Sequence, residues 1–221
     1  MSLTATGLEA ALQSADQSLR LRAAMMAGTY PSTEFIEVLV VQCAIESEFL
    51  VRDMLTWALI RNDTKLVIER LKPELSSDVA QARSQAVHTL TKIGDPTTYP
   101  LVSGNLLFDA DDRVAMTAWR AASLLVPEQL IPTLIPALLT QLGRGEFEIQ
   151  FALSRALCSL GEEILEPLAQ RSKSATPEVA EHLAFTLRLL KNPYSESRLA
   201  REFAEKLKIL KGAPAVGEST T

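Results

Sequence analysis

Six times along the chain the same aliphatic spacing returns, at intervals of 32, 31, 32, 35 and 30 residues. With Arg20, Arg52, Arg83, Ala115, Gln150 and Ala180 in register, the position before each anchor holds Leu19, Val51, Ala82, Val114, Ile149 and Val179. Three residues after the anchor stand Ala23, Leu55, Ala86, Ala118, Leu153 and Leu183; seven after stand Ala27, Leu59, Leu90, Ala122, Leu157 and Leu187. All are aliphatic, and offsets −1, +3 and +7 lie on one side of an α-helix. A buried face that recurs at a fixed period of about 30 residues constrains the fold more than any other feature. It demands stacked units, each burying what its neighbour presents.

The stretches between these helices carry a second helical pattern: about Leu3 to Gln13, Pro31 to Ile45, Thr64 to Leu75, Pro96 to Phe108, Pro127 to Leu142 and Glu162 to Ser172. Asp16, Asp78, Asp111 and Thr176 stand four or five residues before an anchor, with Glu48 and Glu146 as poorer counterparts. Side-chain oxygens there are expected to accept from the free N–H groups of a helix start. The longest interval contains Gly143-Arg144-Gly145, which is expected to hold its extra residues in a turn. The predicted architecture is six antiparallel helix pairs, at about 3–30, 31–63, 64–95, 96–127, 128–161 and 162–193, in a single domain over 1–211. Residues 195–211 form a further amphipathic helix with Leu199, Phe203, Leu207 and Leu210 as its stripe. That helix is expected to cap the array; the alternative is a homodimer or partner helix. The tail 212–221, rich in Gly, Pro, Ser and Thr, is expected to be disordered.

Arg83-Ser-Gln-Ala86-Val-His-Thr-Leu90-Thr-Lys-Ile93-Gly94-Asp95-Pro96 resembles the HEAT-like repeat of the phycobilisome-lyase type, whose pattern runs V-R-x-x-A-x-x-x-L-x-x-I-G-D-P. Asp16 to Ala24 is similar to the same signature, and Ile149 to Gly161 follows it with Gln150 in place of the arginine. The resemblance covers about residues 3–193 and implies an all-α, right-handed α-solenoid. It implies no single function, because such repeats serve scaffolds, transport factors, some lyases and a few DNA-repair enzymes.

In a curved solenoid the second helix of each pair lines the concave side, where extended ligands bind. Offsets +1 and +5 point away from the buried stripe. The +5 row reads Met25, Trp57, His88, Arg120, Arg155 and Phe185; the +1 row reads Leu21, Asp53, Ser84, Met116, Phe151 and Glu181. Six of these twelve are large and apolar, and aromatic, Met and Arg side chains are enriched at binding hot spots. The expected site is a groove in which Trp57 and Phe151 anchor a protein partner while His88, Arg120 and Arg155 hold acidic or polar groups. Met25, Met116 and Phe185 complete it. The competing expectation is that these side chains pack on one another, and Trp119, one residue off the row, is read as interhelix packing.

Composition matters mainly for what it removes. The formal charge is −5, with 9 basic and 14 acidic side chains in residues 1–111. That acidic half opposes a duplex-binding surface, which needs a basic stripe to neutralise phosphates. Two cysteines cannot build a disulfide framework, and the start of the chain lacks the basic-then-apolar pattern of a secretory leader, so a cytoplasmic protein is expected. No apolar run approaches the roughly 18 residues of a membrane helix. Cys43 and Cys158 read as small buried residues, and Asp109-Ala110-Asp111-Asp112 as a solvated turn and helix cap. His88 and His182 are too few for a histidine-rich metal site, and no phosphate-binding or nucleophile-elbow motif occurs, so no cofactor is expected. The function expected is a non-enzymatic scaffold or adaptor that binds a protein partner. The alternatives are a nucleic-acid-associated, DNA-glycosylase-like HEAT protein and a HEAT-like lyase or chaperone.

Overall fold

A computed structural model describes residues 4–212, all helix and turn, with no strand among them. Thirteen α-helices run in sequence: α1 (Ala5–Leu12), α2 (Gln17–Thr29), α3 (Ile36–Ile45), α4 (Phe49–Ile60), α5 (Thr64–Glu74), α6 (Ala80–Ile93), α7 (Tyr99–Val102), α8 (Asp112–Leu125), α9 (Ile131–Leu139), α10 (Phe147–Cys158), α11 (Leu165–Ser172), α12 (Pro177–Lys191) and α13 (Glu196–Gly212). Odd and even helices alternate as the first and second members of six pairs, so the all-α solenoid read from the repeat is the fold observed. The chain divides into two compact units, Met1–Leu125 with four pairs and Val126–Thr221 with two pairs and α13.

The stripe that defined the repeat is the core. Fifteen of its eighteen positions are buried; Leu19 is exposed, and Ile149 and Leu187 are half-buried. In the first unit α2 packs on α4, α4 on α6 and α6 on α8, while α1, α3 and α5 form the neighbouring row. In the second, α10 packs on α12 and α9 on α11. Alanines at 23, 27, 82, 86, 118 and 122 leave room for close helix approach.

Caps follow the sequence at three of the four strong positions. The Asp16 carboxylate accepts from Ser18 N at 2.8 Å, Asp111 from Arg113 N at 2.9 Å and Thr176 Oγ1 from Val179 N at 3.4 Å. Asp78 makes no such bond; Ser77 Oγ accepts from Val79 N instead. Gly143 and Gly145 take φ of +83° and +66°, so the inserted turn needs residues without a Cβ. The helix expected from Pro96 to Phe108 is broken into two 3-10 turns around the four-residue α7. Gly104, at φ −92° and ψ −131°, stands at the break, and the carbonyl of Leu107 that the break releases is taken up by Trp119 Nε1–H at 2.8 Å. Trp119 is fully buried, as its packing role requires. Thr33–Phe35, Glu128–Leu130 and Gly161–Ile164 are also 3-10 turns leading into α3, α9 and α11.

The C-terminal helix runs one residue past its expected end, taking in Gly212; residues 213–221 of the expected tail lie outside the described residues. Leu199, Phe203 and Leu207 are buried against α12 and α10, which uses in cis the face that a homodimer through this helix would need. The side chain of Leu210 lies outside the described residues.

Candidate functional site

The anchor arginines turn out to be clasps. Arg20 Nη1 donates to the carbonyls of Ser14 and Ala15, Arg52 Nη1 to Glu46 and Ser47, and Arg83 Nη1 to Ser77 and Asp78, always six and five residues back. Each guanidinium thus satisfies the turn that leads into its own helix. Arg20 and Arg83 also reach 26 residues ahead with a two-pronged fork, to Glu46 at 2.8 and 2.9 Å and to Asp109 at 2.8 and 2.8 Å. Asp109 is therefore not a solvated turn residue; it ties the third copy to the fourth. Burial raises the Glu46 pKa, but the Arg20 fork, Glu48 N–H and the Gln42 amide together hold it below the usual carboxylate range. Gln81 Nε2 supplies the clasp between copies two and three, donating to the carbonyls of Cys43 and Glu46.

In the second unit a buried polar chain does the same work. His182 Nδ1 accepts from Gly143 N at 3.1 Å, which fixes the proton on Nε2, and Nε2–H points at Gln150 O (2.8 Å) and Ser154 Oγ (3.0 Å). Thr186 Oγ1–H donates back to His182 O, so the 2.8 Å contact between Ser154 and Thr186 is Ser154 donating. A serine 3.0 Å from a histidine resembles an activated nucleophile, but here the ring nitrogen is the donor and both residues are fully buried. Desolvation drives the His182 pKa down to about 4, so the ring is neutral.

Each unit places its own share of the predicted row differently. In the first unit Met25 on α2 is exposed, Trp57 on α4, His88 on α6 and Met116 on α8 are half-buried, and Arg120 on α8 is exposed. Trp57 is not a free anchor. Its ring lies on Gly28 of α2, where an added Cβ would come within 2.2 Å of Cζ3. Ser84 and Thr117 hydroxyls, 3.1 Å apart, set the register of α6 against α8. That register brings His88 and Lys92, one and two turns beyond Ser84, beside Arg120, one turn beyond Thr117. His88 has its pKa lowered by burial first and by the charges of Lys92 and Arg120 next, with Asp53 opposing. Lys92, two turns from the row's centre, is the residue the sequence reading missed.

In the second unit the row is covered. Phe185 is fully buried, not part of an open face: Phe203 of α13 stacks on it with centroids 4.3 Å apart and planes 6° from parallel. Phe151 lies 5.9 Å from Phe185 and 5.6 Å from Phe147, which meets Phe203 edge-on at 5.9 Å. Arg155 remains exposed with its guanidinium carbon 5.9 Å from the Phe151 ring centre. Phe147, Phe151, Phe185 and Leu189 occupy offsets −3, +1, +5 and +9, all on the side opposite the buried stripe. The terminal helix therefore lies along the +1 and +5 face on which the sequence led us to expect a ligand. The aromatic run at 147, 151 and 185, followed by Phe203 on an amphipathic helix, was the signal in the sequence.

Neither Cys43 nor Cys158 is in a disulfide. Burial pushes Cys43 up to about 12, and Cys158, only partly buried, packs on the aromatic cluster with its thiol toward Thr186 O at 3.5 Å. Among the described residues no group of three His, Cys, Asp or Glu side chains is placed to hold a metal ion. No helix among them is long and apolar enough to cross a membrane.

No family model matches the chain, and no curated protein matches it. Solved structures that resemble it include an engineered protein from the Northeast Structural Genomics Consortium, at 20% identity and TM-score 0.46, with 87% of this chain and 97% of that chain covered. Another is a chain of the complex of CpcE and CpcF of phycocyanin lyase from Nostoc sp. PCC7120, at 18% identity and TM-score 0.42, with 99% and 91% covered. The chain is a helical-repeat protein on the strength of its own helix pairs and clasps.

Proposed function

We propose that this chain is a HEAT-like interaction module of a reducing, cytoplasmic compartment, a scaffold rather than an enzyme, that binds a protein partner on the second-helix face of its first unit. One observation carries the reading. At the +5 and +9 positions of the first unit Met25 and Leu124 are 47% and 56% exposed, while Phe185 and Leu189 at the same positions of the second unit are 0% and 3% exposed beneath α13. Apolar side chains that one part of the chain covers, and another part of equivalent design leaves open, mark a surface built to be covered. The Met, Trp and Arg content of the open part fits a binding core.

The test is capture of the partner from the native cell on the full chain, its identification by mass spectrometry, and binding reconstituted with the purified partner. Met25→Asp combined with Arg120→Glu alters two exposed side chains and weakens that binding at least tenfold. Reconstituted binding that is indifferent to both substitutions overturns the reading.

A further inference from the structure

We infer that the open second-helix face of the first unit receives an amphipathic helix with an acidic flank, seated as α13 is seated on the second unit; this rests on the interaction face proposed above. The repeat makes the two faces equivalent by position, so α13 shows what shape of ligand the face accepts. It presents Leu199, Phe203 and Leu207 at i, i+4 and i+8, one stripe of large apolar side chains laid across two neighbouring second helices. The first unit offers the matching apolar floor in Met25, Trp57 and Met116.

Charge decides the rest. On the second unit, Glu181 at offset +1 of α12 receives Lys206 of the seated helix at 3.1 Å, and Arg198, Arg201 and Lys208 of α13 are exposed. On the first unit the same face carries Arg61 and Lys92, both at offset +9, and Arg120 at offset +5. All three are exposed and none forms an ion pair among the described residues; the acidic groups at the −3, +1, +5 and +9 positions of this unit are Asp53 and Asp112, at +1 and −3. This cationic strip stands out in a unit with 15 acidic and 11 basic side chains. Clustering the unpaired cations around methionines and a tryptophan matches a helix whose carboxylates flank an apolar stripe. A nucleic acid would instead call for a continuous basic track, which the acidic remainder of the unit opposes.

The probe is a labelled peptide with the α13 sequence, Glu196 to Gly212, in which every Arg and Lys is replaced by Glu. Titrated with the full chain by fluorescence polarisation, it binds with a micromolar Kd that weakens as salt rises. Lys92→Glu with Arg120→Glu weakens it tenfold or more, Met25→Glu weakens it independently, and Glu181→Lys leaves it unchanged. Far-UV circular dichroism verifies that the variants are folded, as expected for exposed side chains. No binding, equal binding to the Lys92/Arg120 double variant, tighter binding of the unaltered basic peptide, or displacement by a 20-base-pair duplex each overturns the inference. Should the captured partner still require Met25 and Arg120 while the acidic peptide fails, the face stands and its occupant is of another class. Should the partner ignore both residues, the face itself falls, whatever the peptide does.

Discussion

Gly28 sits in the last turn of α2, where a glycine costs at most about 1 kcal/mol relative to alanine. Propensity alone says Gly28→Ala stabilises. The Trp57 ring decides otherwise, because the new methyl would stand 2.2 Å from Cζ3 and the indole would have to leave its seat on α2. Overpacking of that kind costs about 1–3 kcal/mol, so the substitution lowers stability by up to about 2 kcal/mol on balance. A urea melt measures the loss, and a red shift of Trp57 emission accompanies it; an unchanged or raised midpoint contradicts the packing described. His182 makes a second prediction at this scale. Its folded pKa of about 4 lies below the roughly 6.5 of an unfolded histidine, so the unfolded chain binds the extra proton first. The stability this gives is complete above about pH 6.5 and drains away as pH falls toward 4; His88, also depressed, acts in the same sense. Unfolding free energy therefore declines between pH 7 and 5, and His182→Gln, already destabilised at pH 7, shows a flatter decline. Equal slopes for the two proteins would rule out a neutral, clasping His182.

Among the elements, the second helices were legible because their buried stripe needs aliphatic residues at the same three offsets in every copy. The clasps were legible only as anchors. The arginines at 20, 52 and 83 stand out in the sequence, but that they tie carbonyls six and five residues back follows from turn geometry that spacing does not encode. The short first helix around Tyr99 was misjudged, since a hydrophobic run with Pro at its start reads as helix until Gly104 interrupts it. The seat of α13 was hidden for another reason. Its stripe and the aromatic side chains it covers were both visible, yet an apolar residue opposite a buried stripe reads equally as ligand groove or second core. In the folded chain it is second core in α10 and α12. Phe203→Ala opens this core and costs about 3–5 kcal/mol of local stability. Amide exchange over Glu196 to Gly212 speeds up by at least a hundredfold, while α10 and α12 keep most of their protection. Uniform loss of protection across the whole second unit would mean that α13 is integral to that fold rather than laid upon it.

At the scale of the whole molecule, one repeated helix face is used twice. In Val126–Thr221 the chain covers it with its own last helix; in Met1–Leu125 it leaves the face open, apolar at the floor and cationic at the rim. The most direct measurement of this is hydroxyl-radical footprinting of the full chain, with each side chain's labelling rate divided by its rate in the urea-unfolded chain. Met25 is expected to keep about half of its unfolded reactivity, and Phe185 and Phe203 to be protected at least tenfold. If Phe185 and Phe203 label as freely as Met25, or if Met25 is as protected as they are, the two units do not divide the face in this way and the account fails.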